Sequence, residues 1–199
     1  MSSRIIVPHR GLEHAKTRLA GVLDPEQRAA LAERLLRHVL EVAVAAGPQV
    51  VVISPDPGLA SLVTATGGRL SVQHGLGLNA GLTQARDEAL ADGVEVLAVL
   101  HGDLPELSAG DVTALLAAVD GPCPAVAIAP DAAGRGTNGL ALAPPTVIGF
   151  SFGRDSFAVH SSAAEGVGAR LTVVHRPGLA FDVDTPDDLA AWLARGHAA

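Results

Sequence analysis

Lys16 is the only lysine in a chain of 199 residues whose other thirteen basic side chains are all arginines. It lies in His14-Ala15-Lys16-Thr17-Arg18-Leu19, a loop directly after the first apolar run. A sequence so rich in Ala, Gly, Leu, Val and Arg uses arginine wherever arginine serves. The lysine kept is therefore a candidate for a task that suits a compact ammonium on a flexible stem, the holding of a phosphate chain. Asp103 follows the dense run Val94–Leu100, and Pro105 stiffens the turn beyond it. A carboxylate at such a point, facing a crevice, suits a magnesium ion shared with substrate phosphates. In Asp182-Val183-Asp184 an extended backbone would point both carboxylates to one side, a second set of hard oxygen ligands. Asp184, Asp187 and Asp188 also surround a helix start, where acids serve as caps and complement the helix dipole.

Two further segments have the composition of anion sites. Gly134-Arg135-Gly136-Thr137-Asn138-Gly139 reads as a glycine-rich loop between strands, whose backbone N–H groups can cradle an anion. Phe152-Gly153-Arg154-Asp155-Ser156 precedes a helix whose N-terminus can hold a phosphate or carboxylate, with Asp155 or Ser156 as its cap. His160 follows Ser156 by four residues, on the same helical face. Neither the GxxxxGK[ST] spacing nor a GxGxxG between strand and helix occurs. No Ser-His-Asp order, Cys-His pairing or zinc-ligand spacing appears among the eight histidines.

The elements that must position these residues alternate. Arg4–Val7, Val50–Ile53, Leu70–Gln73, Val94–Leu100, Ala125–Ala129, Leu140–Ala143 and Leu171–Val174 read as strands. Helices are expected from Pro25 to about Ala46, from Asp56 to Gly67, over Asn79–Asp92, from Ser108 to Val119, over Ser156–Glu165 and from Thr185 through Trp192. This order predicts a three-layer α/β domain with a mostly parallel sheet, spanning 1–199 as one unit. Ligands of such sheets bind at the carboxyl ends of strands, and segments 9–18, 54–56, 101–105 and 134–138 all follow strands. With 48% hydrophobic and 18% charged residues the composition is that of a globular protein. A net charge of -7 and few aromatics argue against nucleic acid as a partner. One cysteine, Cys123, gives no disulfide framework. Without a secretory pattern or an 18-residue apolar stretch, no membrane association and a cytoplasmic location are expected.

Taken together, VP at 7–8, AKTRL at 15–19, LN at 78–79, GDLPEL at 102–107, IAPD at 128–131, GTNGL at 136–140, FGRDSFAVH at 152–160 and DVDTPDDL at 182–189 resemble the CofC/FbiD family of guanylyltransferases. The motifs run in order along almost the whole chain. The resemblance implies a nucleotidyltransferase domain of GT-A-like, Rossmann-like fold. It implies transfer of GMP from GTP to phosphoenolpyruvate or 2-phospho-L-lactate with release of pyrophosphate, a step towards the deazaflavin coenzyme F420. Lys16 and Arg18 would hold the GTP phosphates, with Pro8, Arg10 and Asn79 also on the nucleotide. Asp103 with Asp182 and Asp184 would hold Mg2+, and Thr137, Gly153 and Ser156 the phosphoacid. The family usually reads VPVK where this chain has Val7-Pro8-His9-Arg10, so Arg10 keeps the charge of the expected lysine but not its shape. The lysine-poor, Ala- and Arg-rich composition resembles that of a high-GC actinobacterium, whose members of the family take phosphoenolpyruvate. Other readings are a nucleotidyltransferase for a molybdopterin or sugar phosphate, and a non-catalytic nucleotide-binding module. The absence of a Leu-Ala-Gly-Gly opening loop counts against the former, and both acidic clusters with Lys16 count against the latter.

Overall fold

Short apolar runs separated by amphipathic ones bury their surface most fully when strands pair side by side and helices cover both faces. In the computed structural model, which describes residues 2–196, seven strands form one sheet: β1 (Ser3–Pro8), β2 (Gln49–Ser54), β3 (Arg69–Val72), β4 (Val96–Leu100), β5 (Ala125–Pro130), β6 (Thr137–Ala143) and β7 (Arg170–Val173). Their order is β3-β2-β1-β4-β6-β5-β7, parallel throughout except that β6 runs against β4 and β5. The helices are α1 (Pro25–Ala45), α2 (Ala60–Ala65), α3 (Leu78–Ala91), α4 (Ala109–Ala117), α5 (Ser156–Gly166), α6 (Pro177–Ala180) and α7 (Pro186–Ala194). Leu36 and Val39 of α1, Val63 of α2, Leu115 of α4 and Leu179 of α6 join one core cluster; Leu82 and Ala85 of α3 and Ala164 of α5 join the other. The three-layer, mostly parallel architecture expected from the alternation is present. None of the helices is long and apolar enough to cross a membrane, among the described residues.

The helix starts follow the capping logic of the sequence. Asp24 accepts from the Gln27 amide at 2.8 Å, and the Gln27 side chain accepts in return from the Asp24 amide at 2.9 Å, with Pro25 as the first helical residue. Ser108 with Asp111 and Thr185 with Asp188 form the same reciprocal box at α4 and α7. Neither Asp155 nor Ser156 caps α5 with its side chain. Asp155 takes a left-handed conformation, φ 56°, and Ser156 is the first helical residue.

Several boundaries differ from expectation for local reasons. After β2, Asp56 caps a 3-10 turn over Pro57–Leu59 by accepting from the Gly58 amide, and only then does α2 begin. β4 starts at Val96, because the Val94 amide is spent closing the end of α3 on the Ala89 carbonyl. The segment α6 was too short to be legible as a helix. The largest difference is at β6, which begins at Thr137 and not at Leu140. Thr137-Asn138-Gly139 is buried strand, and the glycine-rich loop is confined to 131–136.

A single extra residue shapes that strand. Gly139 pairs with Ala129 and Thr137 with Pro130, so β6 holds one residue more than β5 across this step. Such a bulge reverses the alternation beyond it. Leu140 and Leu142 face the α3/α5 layer, and Ala141 and Ala143 the opposite one. Past the bulge, Thr137 meets His160 of α5, and the Asn138 side chain reaches the Ala180 carbonyl beside α6. Regular alternation would have exchanged the two.

A third apolar cluster lies beyond the strand ends: Leu19, Leu31 and Leu35 of the first loop and α1 against Val183, Leu189 and Trp192. It draws the Lys16 loop and the Asp182–Asp184 segment onto the same helix. In the first core cluster, Leu36 of α1 and Val7 of β1 support the turn after β4. A β-carbon added at Gly102 would lie 3.1 Å from Leu36 Cδ1 and 3.4 Å from Val7 Cγ1, so the backbone leading into Asp103 rests directly on them. Leu36→Ala should therefore cost about 2–5 kcal/mol, read as a lower urea midpoint at unchanged slope.

Candidate active site

β1 and β4 are neighbours at the middle of the sheet, where the strand order changes direction, and a crevice at the carboxyl end of such a step is where sheets of this kind bind ligands. A cavity of about 500 Å³ lies there, and its lining includes Pro8, Arg10, Lys16, Arg18, Asp103 and Asp184. Pro8 is the last residue of β1, and Asp103 stands three residues past the end of β4. Asp182 and Asp184 come from the segment before α7. Val183 between them is fully buried in the third cluster, and its amide donates to the Asp103 carbonyl at 3.3 Å. Anchoring the middle residue inward leaves both flanking carboxylates to turn towards Asp103. Carboxylate oxygens of Asp103, Asp182 and Asp184 all lie within 4.8 Å of one another, the one such group of potential cation ligands among the described residues.

Capping does not compete for these acids. The Asp188 carboxylate closes the start of α7, and it also accepts from the Asp184 amide at 3.2 Å. That leaves the Asp184 side chain to accept from Lys16 and Arg18. Likewise Ser108 and Asp111 serve α4, so Asp103 is not a cap.

Like charges this close repel, and Lys16 offsets that repulsion. Its Nζ lies 2.7 Å from Asp103 Oδ2 and 3.2 Å from Asp184 Oδ1, with the side chain almost wholly buried. Arg18 Nη1, much more exposed, reaches Asp184 Oδ2 at 3.0 Å. Burial alone would lower the Lys16 pKa; the two carboxylates outweigh it and hold the ammonium above its ordinary value. Burial would raise Asp103, but Lys16 foremost and His101 next hold it below the ordinary carboxylate range. Asp182 is different. Burial and the charge of Asp103 raise it, against a 3.1 Å hydrogen bond donated by Asn138 Nδ2. Lys16 also adopts a left-handed backbone, φ 53° and ψ 35°, which costs a non-glycine residue about 1–2 kcal/mol and is typical of functional loops.

Among the described residues, one buried oxygen of the cluster has no protein partner. Asp103 Oδ1 is buried and accepts no hydrogen bond, while Oδ2 serves Lys16. An orphaned carboxylate oxygen beside a second carboxylate of raised pKa is a hard-oxygen donor set that a divalent cation would satisfy. The residues present fit such an ion.

The cavity also gathers residues whose types alone gave no signal. His9 lines it, and its Nδ1 accepts from the Gly11 amide at 3.1 Å; burial foremost pushes its pKa down to about 4, against the pull of Asp103. His101 lines it too, with Nε2 buried and unpartnered and its ring 5.5 Å from that of Phe152. Asn138 is the missed partner of Asp182, legible only as the middle of the Thr-Asn-Gly segment. The remaining expected residues stand apart from the cavity lining. Asn79 spends both carboxamide atoms on the Phe152 backbone, accepting from its amide at 2.9 Å and donating to its carbonyl at 3.1 Å. Thr137 and Ser156 are buried, the latter at the start of α5, and Gly153 has φ 140° in the turn before it. The 131–136 loop closes on itself, with the Arg135 amide donating to Asp131 Oδ1, so that amide serves no anion.

Residues 3–199 match the family described as guanylyl transferase CofC like. A phosphoenolpyruvate guanylyltransferase of Rubrobacter xylanophilus is 46% identical over 201 residues, covering 98% of this chain and 96% of that protein. One from Sphaerobacter thermophilus is 42% identical, covering 100% and 95%. Among solved structures, a putative nucleotide-diphospho-sugar transferase from Desulfovibrio desulfuricans G20 superposes with a TM-score of 0.83 at 20% identity, covering 100% of this chain and 90% of that one, and shows the shared fold. With its acidic cluster and lysine at the carboxyl ends of β1 and β4, the chain belongs to the CofC-like guanylyl transferase family.

Proposed function

We propose that this chain, as one nucleotidyltransferase domain, transfers GMP from GTP to phosphoenolpyruvate and releases pyrophosphate, a step in building coenzyme F420. The observation that carries the reading is the meeting of three carboxylates, one of them with an orphaned oxygen, and the Lys16 ammonium in one crevice. Relatives at 46% and 42% identity bear the name of that activity, which supports phosphoenolpyruvate as the acceptor.

In this reading Asp103, Asp182 and Asp184 hold Mg2+, which when bound would neutralise phosphate charge and help align the triphosphate. Lys16 and Arg18 would then turn from the carboxylates towards the triphosphate, with Pro8 and Arg10 on the same wall of the cavity. Asn79 would act through Phe152, whose backbone it holds. Thr137, Gly153 and Ser156 would take the phosphoacid. An oxygen of the acceptor phosphate forms a bond to the α-phosphorus, the bond from that phosphorus to the β-phosphate oxygen breaks, and pyrophosphate leaves with the electron pair. A phosphate with a second pKa of about 6 is already a sufficient nucleophile at neutral pH, so no side chain need remove a proton. What the residues must do is align two anionic reactants and neutralise them.

A pyrophosphate-release assay with GTP, Mg2+ and either phosphoenolpyruvate or 2-phospho-L-lactate tests this. Turnover with phosphoenolpyruvate is expected. GTP binding without release for either acceptor would instead make the chain a binding module, and release with 2-phospho-L-lactate alone would reassign the acceptor. Lys16→Ala and Asp103→Asn should each lower kcat/KM by about 10²–10³-fold while the circular dichroism spectrum stays that of the wild type.

Asp182 gives a second prediction. Its raised pKa means that the folded chain binds this proton more tightly than the unfolded one, so ionised Asp182 costs stability above its folded pKa and nothing below the unfolded one. In EDTA at pH 7, Asp182→Asn should melt a few degrees higher than wild type, and the difference should close as the pH falls through the carboxylate range. Added Mg2+ should raise the Tm of the wild type and not that of the variant.

A further inference from the structure

His160 is a buried titratable residue that no step above uses, and it is hydrogen-bonded to Thr137. The ring is wholly buried in α5, one turn after Ser156. Its Nε2 accepts from the Ser151 amide at 3.0 Å. A backbone N–H can only donate, so Nε2 carries no proton; in the neutral ring the hydrogen must then sit on Nδ1. Nδ1 lies 3.1 Å from Thr137 Oγ1 and therefore donates to it. Burial lowers the His160 pKa to about 4, which keeps the ring in this neutral form at physiological pH.

A threonine hydroxyl has one proton and two acceptor sites. With one acceptor site taken by Nδ1–H, its proton is free to donate to something else. The opposite tautomer would draw that proton to the imidazole and turn a lone pair towards the ligand, which an anion would resist. We propose that His160 is a positioning residue: it fixes the Thr137 hydroxyl as a hydrogen-bond donor to an anionic oxygen of the phosphoacid acceptor.

The surroundings hold the ring in place. Phe152 packs edge-on against it, with centroids 4.9 Å apart and an interplanar angle of 69°, and Asn79 secures Phe152 at both backbone atoms. The bulge in β6 turns Thr137 towards His160 while the adjacent Asn138 donates to Asp182. One two-residue step thus links the acceptor side to the acidic cluster. The inference rests on Thr137 contacting the acceptor, as proposed above.

The test separates the two nitrogens of the ring. In His160→Asn the amide nitrogen reaches the Nδ1 position and can still donate to Thr137, whereas in His160→Gln the amide reaches the Nε2 position, serves Ser151 and leaves Thr137 without its donor. At saturating GTP and Mg2+, His160→Gln should raise the KM for phosphoenolpyruvate by ~10-fold, and His160→Asn should stay within a few-fold of wild type, with the KM for GTP unchanged in both. Thr137→Val should raise the same KM, and Thr137→Val with His160→Gln should be no worse than Thr137→Val alone. Equal effects of Asn and Gln, or additive effects in the double variant, would overturn the role of His160. An unchanged KM in Thr137→Val would instead remove Thr137 from the acceptor site. Long-range 1H–15N spectra of the labelled wild-type protein read the tautomer without any substitution: a proton on Nδ1 is expected, and one on Nε2 would refute the inference.

Discussion

Three carboxylates held within 4.8 Å of one another are the constraint around which the rest of this fold is arranged. Their mutual repulsion works against folding, and it is contained by one buried ammonium and by backbone that has little freedom to retreat. Lys16 bridges Asp103 and Asp184 from a left-handed loop position, while Val183 buries itself between Asp182 and Asp184 and ties its amide to the Asp103 carbonyl. The third apolar cluster anchors both ends of this arrangement. Leu19 follows the Lys16 loop, Val183 lies inside the acidic segment, and both pack on α1. Hydrophobic burial beside the cavity thus holds charges that would otherwise separate, a common arrangement in sites where stability is given up for chemistry.

On the other face of the sheet a neutral network performs the matching task. Asn79, Phe152, His160 and Thr137 form a continuous set of contacts from α3 through α5 to β6, and every polar atom named in it has a partner. A satisfied buried network is rigid, and its hydrogen-bond directions are fixed. The acidic cluster and this network meet at Thr137 and Asn138, adjacent residues that face opposite layers. A bulge makes that possible, since it changes which residue faces which layer without moving the strand as a whole.

Much of the frame was legible because its signals are local. Asp24-Pro25-Glu26-Gln27, Ser108 to Asp111 and Thr185 to Asp188 each state a helix start in four residues, and each start closes with a capping box. The apolar runs located all seven strands, with errors of one to three residues where a turn amide or a bulge decided the end. The loop reading of Thr137-Asn138-Gly139 failed because glycine and asparagine favour turns in isolation. Here pairing with β5 overrode that preference. The pattern of α6 offered no periodicity to read, because four residues make barely one turn.

Lys16, Asp103, Asp182 and Asp184 stand out in the sequence by type and position, and their types alone point to phosphate and a hard cation. Their convergence is a property of the tertiary structure. It depends on the order in which β1 and β4 lie side by side and on α7 returning the last acids to the same crevice. Which acid carries the raised pKa, which oxygen lacks a partner and which ring nitrogen holds a proton depend on burial and on contacts between residues up to 168 positions apart in the chain. Residue type and local pattern fixed what chemistry each group can perform. Only the packing of distant segments determined its charge, its partner and its direction, because electrostatics and hydrogen bonding act through space and not along the chain.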